Sequence, residues 1–227
     1  MHFLPFRFSL ALLFCLGTGY AVGEHADPQY FGTTLDDKTL ETIEATLFML
    51  STNPKKRAAF NTTTRNRTVL CKTCHGEDGK AVKPMTPNLA AQNADYLVDQ
   101  LRKFRSRQRY DFWMTSLSQG FSDEEIINIA IWYSLKPEVS SATGDRNLIP
   151  KGQKIFQEHC SKCHRKDGKG NKGYARLAGQ QADYIVKVLK AFRDRSGHRT
   201  NPWMTAVALR LSEKDMQAVA SYISHLK

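Results

Sequence analysis

The chain has 227 residues, room for two small domains, and a net charge of +11. That charge is uneven: residues 24–150 carry 16 basic and 16 acidic side chains, whereas residues 151–227 carry 16 basic and only 6 acidic ones. With five cysteines in all, and no long apolar run after the N-terminus, the sequence excludes a dense disulfide scaffold and a multi-span membrane protein.

The chain opens with His2 and Arg7, an apolar run from Ser9 to Leu16, and a small-residue stretch ending at Ala21-Val22-Gly23. This is the layout of a secretory signal peptide, with cleavage expected after Gly23 and Ala21 as the alternative. The run is shorter than the roughly 20 residues of a membrane span, so an uncleaved anchor is the weaker reading. Cys15 leaves with the signal, and the bulky Phe14 before it argues against a lipoprotein site. The mature protein is expected to be soluble in an exported compartment, where a basic half has little nucleic acid to meet. A solvated face, or a surface that steers an acidic partner, accounts for it instead.

Residues 24–60 form an acidic extension, with Glu24, Asp27, Asp36, Asp37, Glu41 and Glu44 against Lys38 before residue 51. Leu40, Ile43, Leu47 and Leu50 recur at helical spacing and predict a helix over 35–51. Two roles are open to it: packing on the first domain, or docking on the basic second half. Asn53-Pro54 ends the helix, and the polar, Thr-rich stretch Lys55–Arg67 reads as a connector.

From Val69 the chain repeats itself. Cys71-Lys72-Thr73-Cys74-His75 returns as Cys160-Ser161-Lys162-Cys163-His164. C-x-x-C-H is the spacing of covalent haem c attachment, because cysteines at i and i+3 share one helical face while the next residue reaches the iron. A local disulfide, a thioredoxin-like pair or half a zinc site needs no histidine at that position, and here it occurs twice. Leu89, Ala90, Gln92, Ala94, Asp95, Tyr96, Val98, Leu101, Phe104 and Arg105 recur 88 residues on, and Trp113-Met114-Thr115 recurs 90 residues on as Trp203-Met204-Thr205. The predicted domains are 61–139 and 140–227, both helical, without strand-like alternation. In each, a helix ending at Arg105 or Arg193 precedes a capped C-terminal helix, begun by Ser122-Asp123-Glu124-Glu125 or Ser212-Glu213-Lys214-Asp215. Lys136 to Asn147 is the linker, and Ile149 starts a short helix that leads to Cys160. The Gly152 of that helix has Thr63 as its counterpart.

His75 and His164 supply one axial ligand each, and the repeat supplies the other. Met114 follows His75 by 39 residues and Met204 follows His164 by 40. Met216 lies in the last helix at core spacing, and Met85 is loop or pocket lining. His198 competes with Met204, but Gln108 stands at the matching place. Two axial ligands leave no open iron position, so such a site moves electrons, and a thioether raises the reduction potential relative to a second imidazole. Arg109 and Arg199, just before the methionine loops, are read as propionate partners or docking residues. Tyr96 and Tyr184 serve either a propionate or the core, and Trp113 and Trp203 read as pocket walls.

From Val69 onward the chain resembles the cytochrome c4 family of tandem dihaem class I cytochromes c. The resemblance rests on the two haem motifs, Leu177-Ala178-Gly179-Gln180, Asp183-Tyr184, Arg199 to Met204, Pro87-Asn88-Leu89-Ala90-Ala91-Gln92, and Arg109 to Met114. It implies an all-α fold of two class I cytochrome c domains with a helical extension in front. It also implies two covalently bound haem c groups held by Cys71, Cys74, Cys160 and Cys163. In the family a Pro carbonyl commonly holds the proximal His N–H; here Pro87 keeps that place and Ala175 departs from it. The resemblance implies a periplasmic electron carrier, not an enzyme, serving a membrane-bound terminal oxidase or reductase, with peripheral membrane association and no nucleic acid. It also leaves a dihaem subunit of an enzyme complex, such as a flavocytochrome sulfide dehydrogenase. A dihaem peroxidase would need a vacant iron position.

Overall fold

The computed structural model describes residues 34–171 and 173–227, so the signal segment, Cys15 and the stretch 24–33 lie outside the described residues. The described residues form helices and loops without strands.

The first half begins with α1 (Asp37–Thr52), capped by Asp36, whose carboxylate accepts from the Thr39 N–H at 2.8 Å. The connector expected over 55–67 is instead a helix, α2 (Pro54–Arg67). Its apolar content is low, so periodicity does not reveal it. Its ends do: Asn53 caps the first turn, Pro54 supplies a helical φ, and Arg65 and Arg67 stand at the negative end of the dipole. Arg57 also donates to the Leu50 and Ser51 carbonyls at 2.7 and 3.3 Å, tying the end of α1 to the start of α2. The helix runs unbroken across residues 60 and 61.

Then come α3 (Lys72–His75), α4 (Ala94–Arg105), α5 (Phe112–Gln119) and α6 (Asp123–Ser134). Ile43 and Leu50 of α1 join Leu97, Val98 and Leu101 of α4 and Ile126 to Tyr133 of α6 in one core. The acidic helix therefore packs on the first half. Its packing is with α2, α4 and α6, all in the first half, and not with the basic half.

In the second half, a short 3-10 turn (Arg146–Leu148) leads into α7 (Ile149–His159), followed by α8 (Ser161–His164), α9 (Ala182–Asp194), α10 (Pro202–Leu209) and α11 (Glu213–His225). Phe156, Ile185, Leu189, Phe192, Met216, Val219 and Ile223 build the core, so Met216 is core filling. Here α7 crosses α11 at backbone contact: a Cβ on Gly152 would lie 2.0 Å from the Ala218 carbonyl oxygen. In the first half the matching residue, Thr63, lies exposed on α2, and α1 and α2 both pack on α6. Both C-terminal helices carry complete capping boxes, Ser122 with Glu125 and Ser212 with Asp215.

The halves meet across a seam of side chain to backbone bonds that obeys the repeat. Gln92 bonds the N–H and C=O of Arg176 at 2.7 and 2.9 Å, and Gln180 bonds the N–H and C=O of Asn88 at 2.7 and 3.0 Å. Asn93 donates to Lys169 O at 3.1 Å, and Gln181 to Ala81 O at 3.2 Å. The linker is tied down as well, with Ser141 N–H on Gly179 O and Ala142 N–H on Ser224 O.

Candidate haem sites

Each C-x-x-C-H motif is a single helical turn, α3 or α8, laid against its core by the first cysteine. Cys71 and Cys160 are half-buried, Cys74 and Cys163 are exposed, and the four form no disulfide. Burial pushes the Cys160 thiol up to about 12 and raises that of Cys71.

The two histidines are held alike. His75 Nδ1 lies 2.9 Å from Pro87 O, and His164 Nδ1 lies 2.9 Å from Ala175 O. A carbonyl only accepts, so Nδ1 carries the proton and the lone pair is on Nε2, the atom needed for a metal. Burial lowers both histidine pKa values while the carbonyls oppose it, so both rings are neutral near pH 7. The replacement of Pro87 by Ala175 costs nothing in this bond, because the acceptor is backbone. In the second half Tyr174 adds a ring edge-on to His164, at 6.2 Å between centroids.

Met114 and Met204 are the third residues of α5 and α10 and pack partly buried against their cores. Asp111 and Asn201 cap these helices and accept from the methionine N–H groups at 3.2 and 3.0 Å. The Asp111 charge weakly opposes the burial that lowers the His75 pKa. His198 turns away from its own half: its Nδ1 lies 3.0 Å from Arg107 O, and Gly197 O accepts from Tyr110 N–H at 2.8 Å. Met85 is an exposed loop residue, and Trp113 and Trp203 are 72% and 74% exposed.

Arg109 and Arg199, expected near the methionine loops, meet at the seam. Arg109 donates to Gln100 Oε1 at 2.7 Å and to Tyr184 Oη at 3.1 Å, and lies over the Phe104 ring at 4.2 Å. Arg199 reaches the same two oxygens at 3.5 and 3.4 Å and lies over Phe192 at 5.0 Å. Tyr96 is the remaining polar neighbour. No carboxylate pairs with either arginine among the described residues, and burial together with the Arg199 charge lowers the Arg109 pKa. Two guanidiniums placed together with neutral acceptors call for an anion. A group that brings carboxylates, as haem does with its propionates, fits this site, and the neutral Nε2 atoms and paired cysteines fit its iron and its attachment points.

The cytochrome c family profile matches residues 149–227. Cytochrome c4 of Pseudomonas aeruginosa is 33% identical over 174 residues, covering 70% of this chain and 85% of that protein. The chain belongs to the cytochrome c4 family. The crystal structure of reduced recombinant cytochrome c4 from Pseudomonas stutzeri superposes with a TM-score of 0.67 at 32% identity, over 73% of this chain and 98% of that one. The thiosulfate dehydrogenase electron acceptor of Thiomonas intermedia is 31% identical over 169 residues, 68% of this chain and 77% of that protein. Membership carries the tandem dihaem fold, two covalently bound haem c groups and electron transfer in place of enzymatic turnover. No described helix is long and apolar enough to cross a membrane. Sequence reasoning missed Gln92 and Gln180 as seam residues. They were visible as a repeated glutamine, but their partners are backbone atoms, which no sequence pattern marks.

Proposed function

We propose that this cytochrome c4 homologue is exported to the periplasm and carries single electrons between respiratory partners, such as a membrane reductase and a terminal oxidase. Haem, when bound, supplies a reversible one-electron iron couple. Cys71 and Cys74 anchor one group and Cys160 and Cys163 the other, through thioethers. His75 and His164 keep the Nδ1 proton on a carbonyl and would present Nε2 to the iron, and Met114 and Met204 would each supply a second ligand. The twin His–carbonyl bonds, equal at 2.9 Å in copies of different sequence, carry this reading. Lys162, Lys166 and Lys187 are exposed on the second half, which suits docking of an acidic partner there.

The test is spectroscopic. Met114→Ala and Met204→Ala are each expected to lose one Met–iron charge-transfer band and to lower the potential of one site. A variant with an unchanged spectrum refutes that ligand. A second reading, an electron acceptor tied to a sulfur-oxidising enzyme, is favoured by the likeness to the thiosulfate dehydrogenase electron acceptor. A dihaem subunit of a flavocytochrome sulfide dehydrogenase belongs to the same class. Stable co-purification with such an enzyme supports it, and purification of a lone dihaem protein supports the shuttle.

A further inference from the structure

The seam and the proximal histidines share two peptide groups. The Pro87–Asn88 peptide receives the His75 Nδ1–H on its oxygen at 2.9 Å, and its own N–H donates to Gln180 Oε1, from the other half, at 2.7 Å. The Ala175–Arg176 peptide receives His164 Nδ1–H at 2.9 Å and donates to Gln92 Oε1, again from the other half, at 2.7 Å. Gln92, Gln180, Asn88 and Arg176 are all buried, so water does not compete for these bonds.

Hydrogen bonds in such a chain polarise one another. An acceptor on a peptide N–H makes its carbonyl oxygen more negative, which strengthens the bond to the histidine and raises the basicity of Nε2. A more basic proximal ligand stabilises ferric iron and lowers the potential. We infer that Gln180 and Gln92 are crossed positioning residues: each lowers the reduction potential of the haem in the opposite half through the peptide that holds its histidine. This rests on the His ligation proposed above.

The experiment uses the full holoprotein with Gln180→Met and Gln92→Met, which keep side-chain length and remove the oxygen acceptor. Leucine at the same positions serves if methionine prevents assembly. Redox titration is followed by NMR, with haem methyl signals assigned to each half by contacts to its own residues. Gln180→Met is expected to raise the ferrous-to-ferric ratio of the His75 haem about threefold at fixed potential, about 28 mV for a one-electron couple, with a smaller change at the His164 haem. Gln92→Met should give the reverse assignment. The Nδ1–H resonance of the affected histidine should move upfield as its bond weakens. Loosening of the seam alone would admit water and lower the potential of both haems, and that result overturns the proposal. Two ordinary couples in the wild type that stay in place in both variants overturn this proposal alone. A wild type without two His-ligated couples overturns the ligation as well.

Discussion

The two halves enclose the same motif in different ways. In the second, α7 reaches α11 at backbone contact through Gly152, and one helix pair closes the core. In the first, the matching residue Thr63 is exposed, α2 buries Thr64 and packs Phe60 partly against the core, and Ile43 and Leu50 of α1, a helix preceding the repeated region, add buried cover. Charge divides along the same line, with balance in the first half and a large basic excess in the second. The same C-x-x-C-H turn and His–carbonyl bond therefore stand on cores closed by different sets of helices.

The largest effect that would test this contrast is the loss of the substitute cover. Leu50 is 1% exposed in the first core, and Leu50→Ala should cost about 3 kcal/mol. Chemical denaturation should show the loss in the first half while the second keeps its midpoint. Next is the crossing itself. Gly152→Val places a side chain against the Ala218 carbonyl and should cost about 2–3 kcal/mol. Thr63→Gly, at an exposed position, should shift Tm by the equivalent of less than about 1 kcal/mol. Equal sensitivity at the two positions would erase the distinction between the halves.

A smaller effect depends on pH. Asp215 forms the capping box of α11 and pairs with Lys151 at 2.7 Å. The Lys151 and Ser212 bonds lower its pKa to about 2 from an ordinary 3.8. A carboxyl whose pKa is depressed by folding stabilises the protein fully above the unfolded value, and that contribution is lost as pH falls from about 4 to about 2. Asp215→Asn should therefore cost about 0.5–1 kcal/mol at pH 7 and almost nothing at pH 2, measured by urea unfolding. The smallest effect is at Ala91, which adopts φ +53° where the second copy has Gly179. Ala91→Gly should stabilise by about 0.5 kcal/mol, the relief of the left-handed strain less the added chain entropy. Gly179→Ala should destabilise, because its Cβ would lie 2.0 Å from Val139 O.

Much of this was legible in the sequence. The doubled C-x-x-C-H, the repeated Trp-Met-Thr and the Val98, Leu101, Phe104 face declare themselves by spacing, and spacing is what helices preserve. The α2 helix did not, because caps at Asn53 and the Arg57 bonds to α1 hold it, and these leave no periodic trace. The place of α1 was undecided between an electrostatic and an apolar argument. Burial of Ile43 and Leu50 decided it, since two fully buried aliphatic side chains outweigh exposed charges that water screens. The arginines were marked as functional, but their convergence on Gln100 and Tyr184 depends on how two domains meet. The glutamine clamps were hidden for the same reason.

The proposed function requires both halves to hold a fully ligated iron that exchanges one electron. Resonance Raman spectroscopy of the purified holoprotein, oxidised and reduced, tests it most directly. The account predicts two low-spin six-coordinate haems per chain in both states; a high-spin signal amounting to one haem of the two would contradict it.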